Sequence, residues 1–494
     1  MDRPLILGID LGTQQFKAMV VAPATGRVLS RATGEVHSSS SEPGMMEQRP
    51  NEWEELLFTV TQRAIQESGA AMDISAIGVS GHMHTLLALD GNKRPVHDAI
   101  AWNDTRAAHT AKRLERFEPL WNPPIAAYTL PKLIWLREQK SGAASRVRTV
   151  MYPKDYLRLC LTGQTHTDPS DASGSLIWDF PSRTFDRDLL DRCGFANIEM
   201  PEVVPSNTVA GTLTPEAAKR LGLQPDLPVA TGAGDVAAAV IGARVTSSDT
   251  VLINAGTAAQ VITVYTGNRT DILNRRRQRA RVGYLFELGL DDSLFIMGAL
   301  PSAGHSLAWW RAVQGNQLEF SELDAIAEGK SLEPDGALFL PYLQGTGTPH
   351  MVDAGLAGFV QISASEDFGR LTRAVIDGIA MGIRHVLDSM AENQEVPSTI
   401  VVTGGLGRSR TFCRTLATLV DRNVEVRQIA DVSCIGAAYT ALSATDRTGA
   451  TGIQGQVPST TYRPDMQAHD LVEARYTRFK LWTRAAIDTH TEPR

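Results

Sequence analysis

One arrangement of apolar and polar positions occurs twice along this chain. Leu7-Gly8-Ile9-Asp10-Leu11 runs into Gly12-Thr13-Gln14-Gln15, and the strand-like stretch Ala18 to Val21 follows. Far along the chain, Val251-Leu252-Ile253-Asn254-Ala255 runs into Gly256-Thr257-Ala258-Ala259 and then Val261 to Val264. In each copy a β-prone run meets a small polar residue, then Gly-Thr, then a second β-prone run. That order predicts a β-hairpin over 5–21 and another over 251–264. A tight Gly-Thr turn exposes backbone N–H groups and a hydroxyl, a surface that holds phosphate without a helix behind it. Two such turns facing each other would grip the phosphate chain of a nucleotide from both sides.

The remaining periodicities extend the plan. Val28 to Thr33 reads as a third strand. Trp53, Leu56, Leu57, Val60 and Ala64 recur at helical spacing and predict a helix over 51–67, with acidic residues early where the helix dipole favours them. Ile74 to Val79 reads as a buried strand ending at Ser80-Gly81-His82-Met83-His84, and Thr85 to Leu89 as a strand before the Asp90-Gly91 turn. Trp102-Asn103-Asp104-Thr105-Arg106 opens a polar helix to about Phe117, and helices follow at 128–137 and 154–162. A Ser/Thr/Asp/Gly-rich loop is expected from Thr165 to Trp178, then a strand from Pro228 ending in Thr231-Gly232-Ala233-Gly234-Asp235 and a helix over 236–241. In the second half a polar insert reaches about Leu288, followed by a strand at 293–297, helices at 306–314 and 321–328, and a strand at 337–340. A long helix over 367–393 precedes a strand at 399–402, which ends at Thr403-Gly404-Gly405-Leu406-Gly407-Arg408-Ser409. Two more helices follow, one reaching Val420 and one starting near Ser433. The repeated order predicts an α/β fold of two duplicated domains, 1–245 and 246–494, with a cleft between them. Gly242 and Ser247-Ser248-Asp249 mark the boundary.

Composition narrows the function. At 494 residues the chain is too long for one hydrophobic core, in line with two domains. Apolar residues make up 43% and charged residues 21%, ordinary usage for a soluble globular protein. The net charge of −7, with no basic tail or Lys/Arg stripe, argues against a nucleic-acid partner. The one basic run, Arg275-Arg276-Arg277-Gln278-Arg279, reads as a solvated loop or hairpin face. Cys160, Cys193, Cys413 and Cys434 lack metal-ligand spacing and read as buried thiols of a reducing compartment. No basic-then-apolar leader opens the sequence and no stretch reaches about 18 apolar residues, so a cytoplasmic protein with no membrane partner is expected.

Several residues could carry chemistry. Asp10, beside the first Gly-Thr turn, could hold hydrated Mg²⁺ while the turn handles phosphate, with Lys17 at the far side; an Asx-type turn is the bland alternative. Asp235 sits at a strand-to-helix transition and reads equally as a helix cap and as a general base. The N–H groups there should keep its pKa low, which a loose phosphoryl-transfer transition state tolerates. His82 and His84, at i and i+2, would share a face; a neutral imidazole bonding a polyol hydroxyl suits the loop position better than a metal. Asp104 with Arg106 supplies a carboxylate and a donor for vicinal hydroxyls, a pattern that a salt-bridged helix start would share. Gly404-Gly405 with Ser409 offers bare backbone where a purine could lie. No Gly-x-x-x-x-Gly-Lys-Ser/Thr and no nucleophile elbow is present.

Taken together these segments resemble the FGGY carbohydrate kinases, the sugar-kinase branch of the actin-like ATPase superfamily, over essentially the whole chain. Asp10, Gly12, Thr13 and Lys17 match the opening phosphate motif, and Gly256-Thr257 the second phosphate turn. Gly404, Gly405 and Ser409 match the adenosine motif, and Tyr128-Thr129-Leu130-Pro131-Lys132-Leu133-Ile134-Trp135 the family signature. Ser80, Gly81, Met83 and His84 match the sugar-contact motif, Trp102, Asn103, Asp104 and Arg106 a second one, and Thr231 to Asp235 the catalytic-base segment. The resemblance implies two actin-like, ribonuclease H-like domains flanking a deep catalytic cleft, and a homodimer. The phosphate turns on separate halves, with the sugar residues in the first, predict that the cleft closes on substrate. The resemblance further implies ATP and Mg²⁺, with Asp10 and Asp235 at the metal, and transfer to a primary hydroxyl of a ketopentose, foremost D-xylulose, with Asp235 as base. Met83, His84, Trp102, Asp104 and Asp235 would contact the sugar. The chain departs from that pattern at Gln14, His82, Thr85, Val236 and Thr346-Gly347. Val236 replaces an amide, and an unmet sugar hydroxyl costs about 1–3 kcal/mol, or one to two decades of specificity. Ribulose, a deoxy-ketose or a tetritol are therefore alternative acceptors, and a non-catalytic sugar- and nucleotide-binding regulator is the alternative from another class.

Overall fold

A computed structural model describes residues 4–117, 120–278, 282–391, 397–445 and 458–491. Two seven-stranded sheets organise it, one in each half of the chain. The first follows the order Val209–Thr212, Pro228–Ala230, Ile74–Gly81, Leu5–Leu11, Gln15–Ala22, Arg27–Glu35, with Ala233–Gly234 also pairing Ile74–Gly81. The second follows Tyr284–Glu287, Leu294–Leu300, Ala259–Tyr265, Thr250–Ala255, Thr399–Thr403, Asn423–Arg427, Ser459–Tyr462. Both contain an antiparallel hairpin extended by a third antiparallel strand, and in both the hairpin's first strand pairs a parallel neighbour on its other side. The duplicated hairpin plan read from the sequence is thus present, and the fold is two-domain mixed α/β.

Most predicted helices stand where the periodicity put them: Pro50–Ser68, Thr129–Gln139, Pro153–Thr162, Asp235–Gly242, Gly304–Val313, Phe320–Glu328, Arg410–Val420 and Val432–Thr445. The long helix is Phe368–Met390; the predicted end at 392–393 lies outside the described residues. Four expectations are corrected. The polar insert after the second hairpin contains a helix, Arg269–Gln278, and a strand, Tyr284–Glu287. Arg275 to Gln278 therefore form the end of a helix, not a solvated loop, and Arg279 lies outside the described residues. Arg276 is buried because its guanidinium finds the side chain of Asn122 at 3.2 Å and the carbonyls of Val282 and Gly283 at 3.0 and 2.6 Å. Within the expected 165–178 loop, Pro169–Ser173 is helical, capped by Asp168, which accepts from the backbone N–H groups of Ser170 and Asp171. Cys193, Cys413 and Cys434 are buried and unpaired as expected, but Cys160 is half-buried.

The apolar interior divides into three clusters. One lies within the first half and one within the second. The third joins the halves, combining Ile6, Met19 and Ala76 with Leu252, Ile262, Cys434 and Ala438. Its second-half contribution comes partly from the Val432–Thr445 helix, which lies on the first half's Leu5–Leu11 and Ile74–Gly81 strands and on Asp235–Gly242. No helix among the described residues is long and apolar enough to cross a membrane.

Candidate functional site

Strand register brings two carboxylates to one end of the first sheet. Asp10 pairs with Ser80 in the parallel ladder and Leu11 with Gly81, while Ser80 and Gly81 pair on their other side with Ala233 and Gly234. Asp235 follows directly as the first residue of its helix, so Asp10 and Asp235 emerge at neighbouring strand ends. Gly234, not Asp235, occupies the cap position. Across the hairpin Asp10 faces Lys17, whose Nζ lies 3.6 Å from Asp10 Oδ2 and 3.3 Å from Asp431. Burial holds Asp10 above the usual carboxylate range despite the Lys17 charge, and its Oδ1 is buried without a hydrogen-bond partner.

Asp235 Oδ1 accepts from Val236 N at 2.9 Å and Met83 N at 3.3 Å. Burial, and then the neighbouring Asp10 charge, nevertheless push its pKa up to about 7. The expectation of a low pKa is overturned: two N–H groups do not offset desolvation beside a second anion. A buried, partnerless carboxylate oxygen next to a second carboxylate is a donor set that fits hydrated Mg²⁺. Among the described residues no group of three or more His, Cys, Asp and Glu side chains could hold a metal ion. Mg²⁺ here would therefore rest on Asp10 and Asp235 together with water and phosphate oxygens.

The first Gly-Thr turn is closed by Gly12 N donating to Gln15 O at 3.0 Å. Thr13 at its tip is anchored twice: its carbonyl accepts from Gln48 Nε2 at 2.9 Å and its hydroxyl from the Trp102 indole at 2.8 Å. Gln48 Oε1 in turn lies 3.2 Å from His82 Nε2, and His82 Nδ1 lies 2.7 Å from the Thr85 hydroxyl. Two of the departures from the family pattern, His82 and Thr85, thus form a relay behind the first Gly-Thr turn, and burial lowers the His82 pKa to about 3.

His82 and His84 do not share a face, because the strand ends at Gly81 and the chain turns with His84 at a φ of 68°. His82 faces Trp53, whereas His84 lies against Tyr128 and Phe286. His84 Nδ1 is 2.7 Å from the Gly174 carbonyl. A carbonyl can only accept, so Nδ1 carries the proton and Nε2 is an acceptor; burial lowers the pKa to about 4 and keeps the ring neutral. Met83 is buried beneath Gly234. Trp102 is 41% exposed and could flank a ligand. Asp104 is fully buried, and both of its oxygens accept from Arg106, with Met46 N adding 2.6 Å to one. In this state Asp104 is thus taken up by protein donors.

The second turn and the predicted purine surface meet in one cavity of about 780 Å³. Gly256, Thr257, Gly405 and Ser409 line it together with Leu307, Phe320, Leu406 and Arg408. Gly256 N closes the turn onto Ala258 O at 2.9 Å, and Gly304 N and His305 N donate to the Gly256 and Thr257 carbonyls, each at 3.0 Å. Gly404 has a φ of 90°, and a β-carbon there would come within 2.6 Å of the Ala255 carbonyl. Glycine is required for this approach. Ser409 caps the Arg410–Val420 helix, accepting from Phe412 N at 3.0 Å and donating to Asp324 at 2.5 Å. Its hydroxyl is thereby committed. A larger depression of about 1120 Å³ along Glu35, His37 and Lys93 is lined by none of the predicted site residues.

Sequence reasoning missed Asp324 and Asp431, which engage Ser409 and Lys17. Lys132, which the sequence placed only within the family signature and gave no role, is fully buried and donates to the carbonyls of His84 and Ala127 at 3.2 and 2.6 Å. Burial lowers its pKa to about 7.

Comparison with known proteins finds relatives of both halves of the chain. Residues 5–242 match the N-terminal domain of the FGGY family of carbohydrate kinases, and residues 252–445 match its C-terminal domain. The chain is 31% identical over 492 residues to a xylulose kinase of Staphylococcus epidermidis, covering 97% of this chain and 96% of the relative. A crystal structure of a xyloylose kinase from Brucella ovis superposes with a TM-score of 0.88 at 28% identity, covering 98% of this chain and all of the other. The xylulose kinase of Rhodospirillum rubrum has the same fold, with a TM-score of 0.90 at 23% identity and 99% of this chain covered.

Proposed function

The chain belongs to the FGGY family of carbohydrate kinases, and from that premise we propose that it transfers the γ-phosphate of ATP to a primary hydroxyl of a ketopentose, D-xylulose foremost, with Asp235 accepting the hydroxyl proton. The family makes it an ATP-dependent sugar kinase. The observation that supports the finer reading is the placement of Asp10 and Asp235 at neighbouring strand ends, with Asp235 raised to about 7. A carboxylate poised there is mostly deprotonated just above neutrality and is basic enough to take a hydroxyl proton as the bond to phosphorus forms.

In this reading Met83 and Val236 N–H groups fix the direction of the Asp235 carboxylate, and His84 Nε2 accepts from a sugar hydroxyl. Trp102 closes one side of the sugar pocket, and Asp104 holds Arg106 and the Met46 loop in place. Thr13, Thr257 and their turns take the phosphates, Lys17 balances the charge of Asp10, and the 780 Å³ cavity takes the adenosine. Mg²⁺ bound at Asp10 and Asp235 would supply charge neutralisation of the phosphates.

An acceptor screen that follows ADP release tests the substrate. D-Xylulose is expected to give the highest kcat/KM; a clear preference for ribulose, a deoxy-ketose or a tetritol would overturn the assignment, and no acceptor-dependent release at all would favour the regulator. Val236, half-buried beside the base, is the departure with the clearest expected effect on ranking. Val236→Asn is expected to raise kcat/KM for D-xylulose relative to the other acceptors by about one to two decades. An unchanged ranking would remove residue 236 from substrate selection.

A further inference from the structure

The segment from Thr231 to Asp235 rests on a set of charges with no exposed surface. Lys154, Asp155, Arg158, Asp168 and Asp171 are all fully buried. Lys154 Nζ lies 2.6 Å from Asp155, 3.0 Å from Asp168 and 3.1 Å from Asp171. Burying five ionisable groups is weak grounds for stability and needs closely specified geometry to be tolerated. Burial beside Asp168 and Asp155 pushes the Asp171 carboxyl well above the usual carboxylate range. That geometry leads to the base. Asp168 Oδ2 accepts from Ser170 Oγ at 2.6 Å and from Ser206 Oγ at 2.7 Å. Ser170 Oγ, its own proton committed to Asp168, accepts from Gly234 N at 2.8 Å. A continuous path therefore runs from Lys154 through Asp168 and Ser170 to the residue that precedes Asp235. The far end of the segment is tied to the same cluster, since Arg158 Nη1 donates to Thr231 O at 3.0 Å. There is no slack at Gly234, where a β-carbon would come within 2.5 Å of Met83 Cγ and 3.1 Å of Asp171 Oδ1.

We infer that Ser170 is a positioning residue for Asp235: its hydroxyl, oriented by Asp168 and Lys154, fixes the Gly234 peptide and so aims the carboxylate at the acceptor hydroxyl. This rests on Asp235 being the base. A hydroxyl that donates to a buried carboxylate is a strengthened acceptor for the next N–H in the chain. The aim matters because a displacement of about 1 Å can cost about 10²-fold in rate.

Steady-state kinetics and thermal midpoints of four variants test it. Ser170→Ala is expected to lower kcat about 10- to 100-fold with both KM values within about threefold. Ser206→Ala loses a buried bond to the same Asp168 oxygen but leaves Gly234 held. It should lower the midpoint similarly and keep kcat within about threefold. In an Asp235→Asn background Ser170→Ala should add less than about threefold, because it acts through the carboxylate. If Ser170→Ala does not fold, Ser170→Cys, whose sulfur is a poor acceptor, carries the same comparison. Equal kcat losses for the two serine variants, or a full further loss in the Asn background, would overturn the inference. Wild-type turnover by Asp235→Asn would instead bring down the base assignment, and the inference with it.

Discussion

Asp235→Asn is expected to lower kcat by about 10²–10⁴-fold while leaving sugar affinity within about threefold. The substitution keeps the volume and an oxygen that can accept from Met83 N and Val236 N, and it deletes the proton acceptor. The pH profile separates this from a packing defect. Asp235 is raised to about 7 first by burial and then by Asp10, and Mg²⁺ at the same carboxylates would oppose that shift. The kcat/KM for the sugar should therefore show an acid limb at or below about pH 7. The sign follows from the role: below the limb Asp235 is protonated and cannot act as base, so activity falls about tenfold per pH unit, and above it activity levels off. The Asn variant should lose that limb. Wild-type turnover by the variant, or an acid limb that persists in it unchanged, would remove Asp235 from proton transfer.

What could be read from the sequence divides along physical lines. The hairpins were legible because alternation and a Gly-Thr turn are local signals. Once the hairpin is granted, register alone sets Lys17 opposite Asp10. The Gly404 turn was legible because only glycine tolerates the backbone there. Asp431, which shares Lys17 with Asp10, was not legible: a turn aspartate near a helix start carries no mark of the distant strand it will meet. The buried charges were hidden differently. Residues 165–178 are small and polar and look like a solvated loop, although Asp168-Pro169-Ser170-Asp171 carries the capping residue followed by proline that opens a helix. Arg276 misled because a run of arginines looks solvated, and only the carbonyls of Val282 and Gly283 and the side chain of Asn122 make its burial tolerable. The glycine and alanines after Ser433 announced a close approach, but not that the partner would be the other half's sheet.

That approach carries the largest expected effect on stability. Gly8 and Gly78 sit opposite each other in the parallel ladder, and the Val432–Thr445 helix runs over both. A β-carbon on Gly78 would fall 1.8 Å from the Ala437 carbonyl oxygen, and one on Gly8 2.4 Å from that of Cys434. On the helix's other flank, β-carbons on Gly242 and Gly436 would fall 2.0 and 1.8 Å from the carbonyls of Val432 and Ala238. These are clashes with backbone, which no rotamer change relieves, so the helix must move away as a unit. Gly78→Ala is therefore expected to destabilise the protein by about 3 kcal/mol, the upper end of overpacking costs. Gly91→Ala, whose β-carbon would meet only Arg148 Cγ at 3.8 Å, should stay within about 0.5 kcal/mol. Function should follow stability here. Asp431 precedes this helix and holds Lys17 beside Asp10, so retreat of the helix would loosen the counter-ion of the proposed metal carboxylate. Denaturation midpoints and kcat of the two variants are the measurement. A Gly78→Ala protein as stable and as active as Gly91→Ala would show that the helix does not bear on the sheet as closely as its glycines imply.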